Sequence, residues 1–359
     1  MGLFAKKSYI GLDLGHHMLK AVQLERTHTG WQIAKAAAYP TPPDSIRDGV
    51  VVEPQALVAA IKELLKLGHF TATSAHIAVA GGSVVVRNVR IPKMAESTLR
   101  KSIKFEASRY VPSSVEESYI DFEILGPADE TSMDVVIVAA PKDLVESRIA
   151  ACEAAGLEIE GVDVEAFAIH RALVESNDER DWSGGTVALI DVGSSMSGLS
   201  VVQQGSFAMT RSIPNGGNML TEALTNYFKL TREQAESGKA QLDAGDLLDA
   251  EKPKENPPLR VIQPHLDDLV REVRRSLNYY QSQLAEATPE RQVSLTILSG
   301  GGSQLVGLSS YMEHKLGIKT VAQEVLDNPR FTSGLDADTP CSGLAVASGL
   351  ALRTFAKAA

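Results

Sequence analysis

Cysteine and aromatic side chains are scarce in this chain, positive charge is in deficit, and long apolar runs are missing. The only two cysteines of the 359 residues, Cys152 and Cys341, fall in helical contexts without metal-ligand spacing, so they read as reduced thiols of a cytoplasmic protein. Aromatics make up 5% of the chain, although a 44% hydrophobic content still supports well-filled cores. A formal net charge of −10 excludes an overall basic surface of the kind that binds nucleic acid. No apolar stretch approaches the roughly 20 residues that span a bilayer, and Met1 to Lys7 lacks the apolar core of a signal peptide. The expectation is a soluble chain of two substantial, subdivided domains, reaching a membrane only through a partner.

What is present is a repeat. Tyr9-Ile10-Gly11-Leu12-Asp13-Leu14-Gly15 is a short apolar strand running into Asp-x-Gly, followed by strands at Leu19–Leu24 and Trp31–Ala36. Val187-Ala188-Leu189-Ile190-Asp191-Val192-Gly193 repeats the design, with strands at Gly198–Val202 and Phe207–Ile213. Asp13 matches Asp191, Gly15 matches Gly193 and Met18 matches Met196 at one constant offset. Repetition at this scale implies two related lobes facing each other across a cleft. A tight turn aims backbone N–H groups at one point, and glycine lets an anion come close. A carboxylate beside that point suits a hydrated Mg²⁺ bridging phosphates. A third element, Val293–Leu298, ends in Ser299-Gly300-Gly301-Gly302-Ser303-Gln304, ahead of an amphipathic stretch with Leu305, Leu308, Tyr311, Met312 and Leu316. That order predicts backbone meeting a ligand at a helix N-terminus.

Between the repeats the pattern changes. Pro54 opens a helix carrying Leu57, Ile61 and Leu64, ended by Gly68, and His76–Ala80 reads as a buried strand. From Val84 to about Gly161 come strand, helix, strand, strand, helix, with the first helix stopping before Val111-Pro112. This is a compact α+β unit inserted into the first lobe. Asp163–Glu175 reads as a helix leading into the second repeat. Further on, Gly216-Gly217-Asn218 opens a helix, Thr231–Gln241 is a polar helix, and the acidic, proline-bearing segment Asp243–Pro258 reads as a mobile surface loop. A long helix with Leu266, Leu269, Val270, Val273, Leu277, Tyr280 and Leu284 packs a core stripe. Gly343–Phe355 is a small-residue helix suited to close packing at a hinge.

These elements together resemble the actin-like ATPase superfamily. The inserted unit narrows the match: Arg90-Ile91-Pro92-Lys93-Met94, Glu106-Ala107-Ser108-Arg109-Tyr110-Val111-Pro112 and Tyr119-Ile120-Asp121-Phe122 resemble the PilM family of type IV pilus assembly proteins. So do Ala154-Ala155-Gly156-Leu157, Val162-Asp163-Val164-Glu165-Ala166-Phe167-Ala168 and Gly349-Leu350-Ala351-Leu352-Arg353. The fold so implied is α/β: duplicated actin-like, ribonuclease H-like lobes around a nucleotide cleft, with an inserted α+β subdomain of the SHS2 type, called 1C, as in the division protein FtsA. The expected division is 1–84, 162–185 and 343–359 for lobe 1A, 85–161 for 1C, 186–228 and 293–342 for lobe 2A, and 229–292 for 2B.

The resemblance implies ATP with Mg²⁺ in the cleft. Asp13, Gly15 and His16 belong by that match to the first phosphate loop, with Lys20 neutralising phosphate charge. Asp191, Gly193, Ser194 and Ser195 match the second loop, and Gly300, Gly301 and Gly302 the adenosine turn. Gly216 and Gly217 look like the loop beside ribose and phosphates, and Glu236 and Lys239 like the helix reaching the nucleoside. Asp13 and Asp191 would hold Mg²⁺ through water. The plain alternatives are a helix ion pair for Glu236 and Lys239 and a strand-surface lysine for Lys20. Glu165 is the candidate for positioning water in a slow ATPase reaction and Asp163 the second, against a simple dipole-favoured carboxylate at a helix N-terminus. Whether ATP is hydrolysed or only bound stays open.

The implied role is a cytoplasmic scaffold of the pilus machine, peripheral to the inner membrane. It would hold the N-terminal cytoplasmic tail of PilN in the groove between the first lobe and the inserted unit, beside other assembly-platform proteins. Self-association stays open. An FtsA-like filament former calls for a linker and an amphipathic helix after the fold, whereas this sequence runs out at Lys357-Ala358-Ala359. A small-molecule kinase on the same fold needs an acceptor base that the sequence does not offer. One departure stands out: His16-His17 occupies positions where the family carries small hydroxyl residues. An adjacent His pair also suggests a metal, but no third ligand is near. Imidazoles are bulkier than hydroxyls and lose their charge near neutrality. Replacing both histidines with serine is expected to change ATP affinity in a direct titration; unchanged affinity would remove any role for the pair.

Overall fold

The computed structural model describes residues 9–111, 114–177, 184–284, 291–336 and 342–355. Pro112, Cys341, the first seven residues and the last three, on all of which the sequence bore, lie outside them. Both repeats form. Strands β1 (Tyr9–Leu14), β2 (Met18–Arg26) and β3 (Trp31–Pro40) make an antiparallel meander. Two short strands, β4 (Ile46–Arg47) and β5 (Val50–Val51), form a separate hairpin before helix α1 (Pro54–Leu67), and β6 (Ser74–Val79) then joins β1 in parallel. Every residue of β6 is buried, as expected of a strand covered on both faces.

The inserted unit starts with β7 (Val85–Pro92) and α2 (Glu96–Ala107), followed by β8 (Ser118–Pro127) and β9 (Ser132–Pro141). Its three strands pair in the order β7-β9-β8 and have their own apolar core of Val89, Ile91, Leu99, Ile103, Met133, Val135 and Ile137. The helix that follows, α3 (Lys142–Ala154), packs elsewhere. Its Ala151 and Cys152, a buried free thiol, join Leu57, Ile61 and Leu64 in the core of the first lobe. Strand β10 (Glu158–Val164) then pairs with β6. Residues 142–161 therefore pack with the first lobe, although the sequence grouped them with the insertion.

Helix α4 (Glu165–His170), extended by a π-helical turn at Arg171–Glu175, leads to the second lobe. There β11 (Thr186–Val192), β12 (Ser197–Gln203) and β13 (Ser206–Ile213) repeat the meander. Helices α5 (Gly217–Phe228), α6 (Arg232–Lys239), α7 (Lys252–Glu255) and α8 (Pro257–Ser282) follow. Segment 243–258 is not a free loop: the Ala244 N–H donates to Val306 O, and Ala244 and Leu247 are buried in the second core. Its acidic residues face outward while the spaced apolar ones anchor it, which overall composition does not reveal. Strand β14 (Val293–Ser299) pairs with β11, and β15 (Lys319–Ala322) follows α9 (Leu308–Leu316). Strand β16 (Phe331–Ser333) crosses to pair with β3, so the first sheet runs β10-β6-β1-β2-β3-β16 and the second β13-β12-β11-β14-β15. The 331–333 segment thus adds to the first sheet, away from the second lobe where the sequence put it.

Helix α10 (Ala345–Leu352) is buried along its whole length, in one core with Val22 and Ile33 of the first lobe and Val187, Leu189 and Ile297 of the second. It lies against backbone at two points. A Cβ on Gly11 would sit 1.9 Å from Ala347 O, and one on Gly349 would sit 1.8 Å from Ala168 O in α4. Neither backbone can move aside without displacing β1 or α4. Gly349→Ala is therefore expected to cost about 3 kcal/mol or prevent folding. Gly238→Ala, in α6 with open space at its Cβ, should raise stability by up to about 1 kcal/mol. Thermal and urea melts of the two variants check both signs.

Candidate functional site

The two sheets open toward each other on a cavity of about 550 Å³. Asp13 sits one residue before the end of β1, directly opposite Lys20 in the β1–β2 register, with their charged groups 3.7 Å apart. Asp191 holds the matching place in β11, and its Oδ1 accepts a hydrogen bond of 2.9 Å from Ser299 Oγ at the end of β14. The turns beyond are alike: a Cβ on Gly15 would meet Met18 O at 2.6 Å, and one on Gly193 would meet Met196 O at 2.6 Å. The duplication seen in the sequence is thus a duplication of backbone shape, with one carboxylate beside each turn.

The glycine run closes the wall from above. Gly300 has φ +83°, and a Cβ there would come within 2.7 Å of the Asp191 carboxylate. A short 3-10 turn, Gly301–Gln304, follows, and α9 starts only at Leu308. The run is therefore not at the N-terminus of an α-helix, as the order of elements suggested; its N–H groups border the cavity through the turn instead. Gln304 donates to Glu324, which also accepts from the Gly343 N–H and so braces the entry to α10.

Asp13, Gly15, His16, Lys20, Glu165, Asp191, Gly193, Ser194, Ser195, Gly217, Glu236, Lys239 and Gly300 to Gly302 all line the cavity. Glu236 and Lys239 do form the i,i+3 ion pair, at 2.8 Å, and both bond to the hydroxyl of the buried Thr221. Two expected residues stand apart. Gly216 lies behind the wall, where the N–H groups of Gly217 and Asn218 donate to Gly193 O and Ser194 O and hold up the second turn. Asp163, one residue before the end of β10, faces away from the cavity, bonded to Arg171 at 3.0 Å and Arg353 at 3.2 Å. Committed to two guanidinium groups that tie β10 to α10, it cannot also position water. Arg148, which the sequence did not single out, lines the cavity from α3. Its only signal was an arginine within an otherwise apolar helix face.

The charges set the chemistry. Burial raises the pKa of Asp13, with Lys20 pulling it back, and burial likewise raises Asp191 against its bond from Ser299. Glu165, first residue of α4, is pushed up to about 8, chiefly by loss of water and then by the neighbouring Asp13 carboxylate. His16 is pushed down by burial and by Arg148. Three carboxylates thus converge on one space, which a hydrated divalent cation would relieve. Among the described residues no group of three His, Cys, Asp or Glu could ligate a metal directly. The three carboxylates fit a cation held through water beside phosphate oxygens.

Two like sheets, each carrying an Asp-x-Gly hairpin to a shared cleft with an inserted α+β unit on the first, define an actin-like ATPase fold. Solved structures agree. MreB5 of Spiroplasma citri bound to AMPPNP is 13% identical, with a TM-score of 0.53 over 96% of this chain and 95% of that one. A structure described as the PilM-PilN type IV pilus biogenesis complex is 27% identical, with a TM-score of 0.84 over 97% and 98%. FtsA of Pseudomonas aeruginosa is 22% identical over 92% of this chain and 88% of its own length; FtsA of Bacillus subtilis is 24% identical over 65% and 58%. The family described as type IV pilus assembly protein PilM matches residues 11–355, and the chain belongs to that family.

The Glu165 carboxyl gives a pH signature. Protonated in the folded chain up to about pH 8 but ionised in the unfolded chain above its ordinary value of 4.5, it contributes stability that is lost as pH rises through that window. Wild-type melting temperature should therefore fall from pH 6 to pH 9 by more than that of Glu165→Gln. Parallel curves would show that Glu165 is already ionised in the empty cleft.

Proposed function

We propose that the protein is an ATP-binding scaffold of the type IV pilus assembly platform that holds the cytoplasmic N-terminal tail of a PilN-type inner-membrane protein. The observation that carries this reading is the likeness to the PilM-PilN complex, which runs through nearly the whole of both chains. Among the described residues no helix is long and apolar enough to cross a membrane. On this reading the protein sits in the cytoplasm, peripheral to the inner membrane through its PilN-type partner. The peptide site would be the groove between the first lobe and the inserted sheet. With the pairing of β10 and β16 taken into account, the first lobe is best drawn to include 142–177 and 331–333, and the insertion to span 85–141.

For the nucleotide, the two Asp-x-Gly turns would face the phosphates with backbone N–H groups, and the Gly300 to Gly302 turn would meet the adenosine. Lys20 would neutralise phosphate charge, and Glu236 with Lys239 would reach the nucleoside. Bound Mg²⁺ would supply charge to the phosphate oxygens through water shared with Asp13 and Asp191. Glu165, protonated in the empty cleft near neutrality, must give up its proton before it can orient water as a base, so turnover is expected to be slow. Glu165→Ala should lower ATP turnover at least about tenfold with little change in ATP affinity; an unchanged rate would remove the assignment. The scaffold reading is checked by fluorescence anisotropy with a labelled PilN-type N-terminal peptide, with and without MgATP. Saturable binding is expected, and a difference between the two conditions would show that nucleotide regulates it. No binding in either condition would overturn the reading.

A further inference from the structure

Arg148 is the largest fully buried side chain among the described residues, only 1% exposed. Its Nε donates to Gly49 O at 2.8 Å and its Nη1 to Ala78 O at 2.9 Å. Those bonds satisfy two of its N–H groups but neutralise nothing, and among the described residues it forms no ion pair. A buried guanidinium stays charged, and an unpaired buried charge is costly. A leucine or methionine would fill the same space in α3 without that cost. Its charge is offset only at a distance, by Glu165 and Asp13, and neither carboxylate forms an ion pair with it.

Its position says which partner would meet that charge. Arg148 belongs to the cavity wall, and its charge acts on Asp13, His16 and Glu165. Those groups stand at the end formed by the first turn and α4. Glu236, Lys239 and the Gly300 to Gly302 turn border the cavity from the second lobe, where a nucleoside would enter. A row of phosphates laid from there toward Glu165 ends beside Arg148. We propose that Arg148 is the residue by which the cleft distinguishes a nucleoside triphosphate from a diphosphate, its unpaired charge being met by the terminal phosphate. This rests on the nucleotide reading above. Arginine suits the task, since charge-assisted bonds to phosphate are short and strong. The terminal phosphate adds negative charge at that end, whereas a diphosphate stops short of it.

The test measures MgATP and MgADP affinities by calorimetry for wild type, Arg148→Met and Arg148→Lys, alongside their melting curves. Wild type should prefer ATP. Arg148→Met, if folded, should lose about tenfold in ATP affinity with a smaller change for ADP, and Arg148→Lys should retain part of the preference. Equal losses for both nucleotides, or an unchanged ratio, would show a purely structural arginine and overturn the proposal. Because Arg148 also fastens α3 to Gly49 and Ala78, the methionine variant can fail to fold. In that case the Arg148 Nε–H resonance of the labelled wild-type protein decides. A shift with MgATP that MgADP does not reproduce supports the proposal, and identical spectra overturn it. Wild type that binds neither nucleotide would overturn the nucleotide reading itself, and the arginine proposal with it.

Discussion

The contact on which the structure depends is the close approach of α10 to β1 and α4. Two glycines let backbone meet backbone there, Gly11 beneath Ala347 and Gly349 beneath Ala168. The small residues of α10 then fill one core shared by both sheets. Asp163 adds a charged clamp, since its carboxylate holds both Arg171 and Arg353 while Arg171 also donates to Gly349 O. Through these contacts the tip of β1 and the start of α4 are held at a set separation. Asp13 and Glu165 are the residues at those two ends, so packing on the hinge side sets the electrostatics on the cleft side.

That cleft is built under electrostatic tension. Three carboxylates share a space with poor access to water, and each is pushed toward its protonated form. Lys20 offsets part of this from within the first hairpin, while Arg148 faces the same end and forms no ion pair among the described residues. Such an arrangement is costly when empty and relieved when an anion and a cation enter together. A site of this kind couples occupancy to stability. The second lobe also touches the inserted sheet directly. Phe207 packs among Val86, Val136 and Val164, and Asn88 donates to its carbonyl oxygen. Relative movement of the lobes would therefore be felt by the insertion.

Much of this was legible before any coordinates. The paired hairpins, the cavity-lining Asp13 and Asp191, the glycine run and the Glu236–Lys239 pair all follow from short-range patterns that a linear reading can detect. What escaped it depended on direction. Asp163 and Glu165 are two residues apart, yet one lies near the end of a strand facing two arginines and the other opens a helix facing the cleft. Gly216 and Gly217 are adjacent, but only the second reaches the cavity wall. Segment 243–258 reads as a loop from its charge, whereas Ala244 and Leu247 anchor it in the second core. Arg148 carried only a weak local mark, an arginine on an apolar helix face, because the site it belongs to is assembled from distant segments.

The sequence by itself determined the duplicated lobes, the presence of an insertion and the family, because repeats, turn glycines and apolar periodicity are properties of neighbouring residues. Only the tertiary structure decided which carboxylate faces the cleft, that α3, β10 and β16 complete the first lobe, and that a lone arginine stands at the end of the cavity. Those outcomes depend on the side toward which each element turns when it packs, and on charges brought together from opposite ends of the chain. Both are settled by burial in three dimensions, where loss of water and the approach of distant groups change what an ionisable side chain can do.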